Sequence, residues 1–540
     1  MSVIDEIIPT FLRLILRIVQ IISAKVLSIW YGGETSGIPT PKSSLLMESA
    51  TSLASRIRNG KVKSYDVVET FVRRIAEVNG VLNCVADGRY EEALEEAKRI
   101  DEMIASGSKT VEEMEENTPL LGVPFTTKDS VAVAGLIHAA GTKARKDVKA
   151  DKDSEVVRLM RKAGAIPLAV TNVSELCFWW ETNNPVFGKT NNPYNLNRTA
   201  GGSSGGEGSL ITSCGSPLGI GSDIGGSIRI PAAFNGIFGH KPSAEVTPLD
   251  GLFPMVAPQQ MPFNTVGPMS RFSADLLTAM KVITTDSKAD LRLDEEVNLK
   301  DLTYYYLEDD GGLNSVTPVD QEIKAAVTKV VDHINRKYGV SAKKLKTDKL
   351  RYGREIWMTK MTQNCKPQIS ALLTNNESNI NVGKELLKAP FRMSNHTMGT
   401  LLMAFLEESA APADSAERKM YDTLLTQMKK EFEEVLGSNG VLIYPTHPTA
   451  AFYHYQSLFR PFDFAYTAIF NILGLPATHC PTGLNSEGLP IGIQVIAGKN
   501  QDRLTLALAR EIEEAFGGWR PSPTKGTLVL KNRTLMKSGS

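Results

Sequence analysis

The sequence predicts an α/β protein built as one large domain behind an apolar amino-terminal helix. Three observations carry this reading. An apolar run at 121–125, a helical pattern over 154–164 and a second apolar run at 165–170 make the strand–helix–strand rhythm of a sheet covered by helices. The rhythm returns near the carboxyl end, where a helix over 415–436 is stopped by Gly437 and followed by a strand at 441–444. No internal repeat and no sharp boundary divides the chain between Glu48 and Trp519, although 540 residues would by length admit three or four domains.

Taken in order, the first element is the apolar helix. Residues 7–30 are mostly Ile, Leu and Val, long enough to span a bilayer core, but Arg13, Arg17 and Lys25 interrupt them. On a helical wheel Thr10, Arg13, Arg17, Gln20, Ala24 and Ser28 form one narrow stripe with aliphatic residues around the rest. Such a helix lies in the lipid interface or spans with its arginines partnered or snorkelling; the alternative, a soluble helix packed on the body, is disfavoured by its wide apolar arc. Ser23-Ala24-Lys25 makes a poor signal-peptide cleavage site. Residues 1–31 are therefore expected to attach the protein to an intracellular membrane, and 32–44, rich in Gly, Pro, Ser and Thr, to link them to a domain over 45–525 and a tail over 526–540. The sequons at Asn172, Asn197, Asn376, Asn395 and Asn532 matter only if the body faces a lumen.

Within the body, Ser64 is expected to cap a helix with Val67, Val68, Phe71, Val72 and Ile75 on one face. A second helix covers 91–104, and the acidic run 112–116 reads as a solvated loop. Thr317-Pro318-Val319-Asp320 starts a helix with Ile323, Val327, Val330 and Ile334 on its inner face, and a last helix covers 501–516.

Composition narrows the function. Lys plus Arg and Asp plus Glu both number 60, so the net charge is zero, which argues against a nucleic-acid binder. Hydrophobic residues at 42% and charged residues at 22% are ordinary globular usage and exclude wholesale disorder. Cys84, Cys177, Cys214, Cys365 and Cys480 include no C-x-x-C pair and read mostly as core thiols. The seven histidines show no ligand spacing, and His447 and His454 read as loop and core residues, so no metal site is expected.

The chemistry lies between Gly122 and Pro242. Gly201-Gly202-Ser203-Ser204-Gly205-Gly206-Glu207-Gly208 is too glycine-rich for a strand or helix interior. A phosphate loop would need Gly-Lys-Ser/Thr, and no lysine is present. A flexible linker does not belong inside strand-rich apolar sequence. A serine site on a tight turn remains. Gly219-Ile-Gly221-Ser-Asp-Ile-Gly225 imitates a dinucleotide-binding fingerprint, but Pro231, Gly236 and Gly239 break the helix that fingerprint requires.

These residues resemble the amidase signature family. The resemblance rests on the Ser203 segment, on Gly225-Gly226-Ser227-Ile-Arg229-Ile-Pro231, and on Gly122-Val-Pro-Phe-Thr-Thr-Lys128-Asp129 upstream. The intervals agree: 75 residues from Lys128 to Ser203 and 24 from Ser203 to Ser227. Within the family the chain is most similar to the fatty-acid amide hydrolases of type 2, through Thr171-Asn-Val-Ser-Glu-Leu-Cys177, Tyr444-Pro-Thr-His447-Pro and Gly492-Ile-Gln-Val-Ile-Ala-Gly498. It departs at Thr199-Ala200, where many members have a proline. The resemblance implies an α/β/α domain with a central twisted mixed sheet.

Amide hydrolysis needs an activated nucleophile, an oxyanion site and a proton for the leaving amine. A lysine serves as base when burial or nearby positive charge keeps it neutral. The resemblance makes Lys128 that base, Ser227 the nucleophile and Ser203 the bridge between them, with the N–H groups of Ile224, Gly225, Gly226 and Ser227 as oxyanion donors. It places Cys177 and Phe178 on the substrate pocket. Asp223 and Arg229 read as a structural ion pair bracing the loop. The segment 391–406 is either the apolar lip of an acyl channel or a buried core helix. The implied activity is a membrane-associated serine hydrolase of fatty-acid amides, both long-chain primary amides and N-acylethanolamines, working through an acyl-enzyme without cofactor. The rivals are an amidase of small or amino-acid-derived amides and a catalytically dead lipid-binding protein. The implied partners are a lipid amide and a membrane, not nucleic acid, and a homodimer is admitted.

Overall fold

The computed structural model describes residues 18–31, 37–311, 316–363 and 365–522. The expectations for Arg13, Arg17 and the tail over 526–540 lie outside the described residues, as does 32–36 of the linker.

Eleven strands form one mixed sheet: β1 (Val85–Gly88), β2 (Pro124–Lys128), β3 (Ile166–Thr171), β4 (Leu218–Asp223), β5 (Phe238–Lys241), β6 (Thr265–Ser270), β7 (Thr303–Tyr306), β8 (Lys343–Lys344), β9 (Gly440–Pro445), β10 (Ala477–Leu484) and β11 (Pro490–Ala497). Their spatial order is β1-β3-β2-β4-β6-β5-β10-β11-β9-β7-β8. β2 runs parallel to β3 and β4, β9 runs parallel to β7, and the strands between β4 and β9 pair antiparallel.

Successive strand residues point to opposite faces, and this sheet buries both. On β9, Val441 and Ile443 join one core with Phe71, Val327 and Leu508 from three helices, Ser64–Leu82, Gln321–Tyr338 and Asp502–Phe516. Leu442 and Tyr444 join the other with Ile356, Met428 and Ile469 from Gly353–Met361, Ala416–Leu436 and Ala465–Ile472. The α/β/α layering and mixed sheet agree with the resemblance.

Local readings differ in instructive places. Ser64 is the first helical residue and not its cap: Asp101 accepts the N–H groups of Ser64 and Tyr65 at 2.7 and 3.0 Å, and Ser64 Oγ donates to Gly122 O at 2.9 Å. The acidic run is a helix, Val111–Asn117, because Thr110 and Glu113 form a reciprocal capping box that satisfies its first amides. The strand expected at 121–125 begins at Pro124 and runs on to Lys128, which puts the lysine at its carboxyl end.

Residues 18–30 are helical; of the polar stripe Gln20 is buried and Ala24 and Ser28 are half-buried, Ser23 beside them is buried, and Ile21, Ile22, Ile29 and Trp30 are exposed, Trp30 by 81%. The helix end is tied down where Asn197 Nδ2 donates to Tyr31 O at 2.7 Å and the Tyr31 ring stacks on Tyr453. No helix among the described residues is long and apolar enough to cross a membrane.

Candidate active site

In sheets of parallel strands the crevice beyond the strand carboxyl ends is where chemistry collects. β2 ends at Lys128 and β4 at Asp223, and the loops that follow β3 and β4 close over the same ground. Lys128 is fully buried between β3 and β4. Its Nζ lies 2.8 Å from Ser203 Oγ and 2.9 Å from Ser222 Oγ.

Ser203 sits in the turn before the helix Gly205–Thr212, after a cis Gly202–Ser203 peptide. Thr182 braces this turn, donating to Ser203 O at 3.3 Å and accepting from Gly205 N at 2.9 Å. Glycine is needed at 202 because a Cβ there would meet Trp179 O and Glu181 N at 2.9 Å. The serine is thus held by backbone lamination against residues 179–182.

Ser227 follows β4 in the loop leading to the helix Arg229–Asn235. It lines the same cavity as Ser203 and Ser222, and among the described residues its hydroxyl makes no hydrogen bond. The loop is braced by the expected ion pair, Arg229 to Asp223 at 3.0 Å, both fully buried. Burial pushes the Asp223 carboxyl up, but the Arg229 guanidinium overrides it and holds the group well below the carboxylate range. Asn471 donates to Asp223 O at 2.9 Å, and Gln494 accepts from Arg229 at 3.0 Å.

That brace also engages one amide of the expected oxyanion set. Gly226 was expected among the oxyanion donors, but its N–H goes to Asp223 Oδ1 at 2.7 Å. The N–H groups of Ile224, Gly225 and Ser227 have no partner among the described residues. Gly226 instead supplies conformation, with φ +127° and a Cβ position only 2.1 Å from Thr467 Oγ1.

Two carboxyl groups flank the lysine without an ion-pair contact to it. Glu207 is fully buried and bonded to Thr126 Oγ1 and Thr171 Oγ1, each at 2.8 Å; burial pushes it up to about 8 against those bonds and the Lys128 charge. Asp129 is pushed up to about 7, again by burial, with the Gly141 N–H and Lys128 opposing.

Two cavities open on Ser227, and another adjoins them. An aromatic one, lined by Phe178, Trp179, Trp180, Trp357 and Phe464, opens on Ser227 and Gly225. A second, lined by Met361, Ile369 and Leu372, shares Phe178, Trp357 and Met403 with the first and reaches half-exposed Met255. A third carries Ser130, Ser203, Ser222 and Asn264. Cys177 and Phe178 line both the first and the third. A cavity of about 770 Å³ lies elsewhere, between the helix over 18–30 and the body.

In the segment 391–406, Met403 lines the cavities and Leu401 is buried, but Phe391 and Met393 are exposed by 75% and 72%. It is neither wholly core nor wholly rim. Among the described residues no group of three His, Cys, Asp or Glu side chains is placed to hold a metal. His447 and His454 are buried as expected.

Sequence reasoning missed Ser222, Glu207 and Trp357. The first two stand inside the motifs already singled out, and Ser222 precedes the last residue of a strand parallel to that of Lys128. Trp357 carried no local signal.

The amidase family model matches residues 66–506. The chain is 42% identical to fatty-acid amide hydrolase 2 of Homo sapiens over 90% of its own length and 93% of that protein's. Its fold is similar to the solved structure of a fatty acid amide hydrolase, with a TM-score of 0.70 and 23% identity over 89% of this chain and 87% of that one. Peptide amidase from Stenotrophomonas maltophilia gives a TM-score of 0.71 and 21% identity over 90% and 100% of the two chains.

Proposed function

The chain belongs to the amidase family and hydrolyses amide C–N bonds, and from that footing we propose that it is a membrane-associated serine hydrolase of long-chain fatty-acid amides. Ser227 is the nucleophile, Ser203 the proton bridge and Lys128 the base. The observation that carries this reading is the 2.8 Å contact between the fully buried Lys128 Nζ and Ser203 Oγ, with Ser203 lining a cavity that also holds Ser227.

On substrate binding the Ser227 hydroxyl turns to Ser203 and attacks the amide carbon. Its proton passes to Ser203 Oγ as the Ser203 proton passes to the Lys128 amine. The oxyanion is received by the unpaired N–H groups of Ile224, Gly225 and Ser227. The relay then runs backward, protonating the leaving nitrogen and breaking the C–N bond, and leaves an acyl ester on Ser227. Water hydrolyses that ester through the same relay to give the free fatty acid.

The fatty-acid preference is supported by the aromatic cavity at Ser227 and by the neighbouring cavity, which shares Phe178, Trp357 and Met403 with it and reaches Ile369 and Leu372. The cavity that carries Ser203 and Asn264 holds hydrogen-bonding groups for the amine. Membrane attachment is supported by the outward apolar flank of the helix over 18–30 and by exposed Leu387, Phe391 and Met393. A helix seated on the body by its polar stripe suits the lipid interface. The test is substrate profiling with purified enzyme: oleamide is expected to exceed short amides in kcat/KM by at least about 100-fold, since each buried CH₂ contributes about 0.8 kcal/mol. Preference for short amides throughout would contradict the substrate assignment.

A further inference from the structure

Trp357 touches both the catalytic loop and the apolar cavities, and we infer that it is a positioning residue for the oxyanion site as well as a wall of the acyl path. This inference rests on the reading of Ser227 as nucleophile and of the neighbouring amides as oxyanion donors.

Trp357 is buried on the helix Gly353–Met361, and its Nε1 donates to Ile224 O at 2.8 Å. The Ile224–Gly225 peptide is trans, so its C=O and the following N–H point in opposite directions within one plane. Holding the Ile224 carbonyl toward Trp357 therefore aims the Gly225 N–H away from it, and that N–H has no partner among the described residues. The next peptide is held in the same manner. Thr467 Oγ1 donates to Gly225 O at 2.7 Å, and the opposed Gly226 N–H meets Asp223 Oδ1 at 2.7 Å. Of two consecutive peptide units, one amide is taken by the scaffold and the other is left open, and Trp357 orients the open one.

The same ring is fixed by its surroundings. A Cβ on Gly225 would lie 3.4 Å from the indole, and Phe464 meets the ring edge-on at 4.8 Å. With Phe178 and Met403 it forms the boundary shared by the two apolar cavities. An acyl chain running from Ser227 toward Leu372 must pass this boundary. Chain contact and oxyanion geometry thus meet on one side chain.

Two substitutions separate the roles in the full-length enzyme. Trp357→Phe keeps a ring wall but loses the N–H: kcat should fall about 10- to 100-fold on both oleamide and hexanamide, with KM for oleamide within about twofold of the parent. Trp357→His places a ring nitrogen at the topological position of Nε1 but removes the outer ring. Its kcat on hexanamide should stay within about threefold of the parent, while KM for oleamide rises about tenfold. A trifluoromethyl ketone bearing the oleoyl chain, which adds to Ser227 as an oxyanion, should lose affinity in the Phe variant in step with kcat/KM; oleate itself should not. Parent-like kcat in Trp357→Phe overturns the inference. If that variant does not fold, an equal loss of kcat on both amides in a folded Trp357→His overturns it as well. Parent-like hydrolysis by Ser227→Ala would remove the nucleophile reading beneath it, an outcome distinct from either.

Discussion

Lys128 Nζ lies 2.8 Å from Ser203 Oγ, at the end of a strand where neither group meets bulk water. This contact joins residues 75 positions apart and fixes the first step of the proposed relay. Replacing either partner breaks proton transfer without removing the nucleophile. Lys128→Ala and Ser203→Ala should each lower kcat by about 10²- to 10⁴-fold, measured as steady-state amide hydrolysis, with substrate KM changed far less. A loss below about tenfold in Lys128→Ala would remove the lysine from the mechanism.

Arg229 and Asp223 are a buried pair whose removal in part leaves a charge without a partner. Arg229→Met should lower stability by about 3–5 kcal/mol, read from denaturant midpoints at constant m-value. The carboxylate left behind also caps the Gly226 and Ile228 amides, so the Ser227 loop should loosen with it. A midpoint equal to the parent's would show that the pair is dispensable to the fold.

Glu207 makes stability fall with alkaline pH. Its folded pKa is raised to about 8, so the native state holds this proton more tightly than the unfolded chain. The stability it contributes is fully present below the unfolded carboxylate pKa and is lost as pH rises through about 8. His447 and His479, lowered by burial to about 3, act on the acid side: the stability linked to their neutral forms is lost as pH falls from the ordinary histidine range toward 3. Those histidines are present in parent and Glu207→Gln alike. The difference between their urea-unfolding curves should therefore isolate Glu207, with the variant losing less stability than the parent between about pH 5 and about pH 8.5. Parallel pH curves for the two proteins would contradict a protonated Glu207.

Attachment to lipid should depend on the apolar flank of the helix over 18–30. Ile22→Glu with Ile29→Glu leaves the buried Gln20 and Ser23 untouched. It should reduce partition of the full-length chain onto phospholipid vesicles by at least about tenfold, in a sedimentation assay. An unbound parent chain, or a variant that sediments equally, would contradict the assignment.

Much of this was legible in the sequence. The helices after Ser154, Asp320 and Ser415 followed from caps and apolar spacing, and the family resemblance carried by the motifs pointed to Lys128, Ser203 and Ser227 as candidates. What stayed hidden depends on distant partners. Asp101 caps a helix 37 residues away from Ser64 in sequence, and Trp357 reaches a carbonyl 133 residues away. Gly226 had the composition of an oxyanion donor, but a carboxylate three residues before it claims the amide. Periodicity reports which face is buried; it does not report which polar group a buried face will meet.

The most direct test of the mechanism is to trap the acyl-enzyme. Enzyme mixed with an activated oleoyl ester, quenched in acid within the first turnover and digested, should yield the oleoyl group on the peptide bearing Ser227 by tandem mass spectrometry, and none from Ser227→Ala. An oleoyl group on any other residue, or turnover of the substrate by Ser227→Ala at the parent rate, would contradict the account.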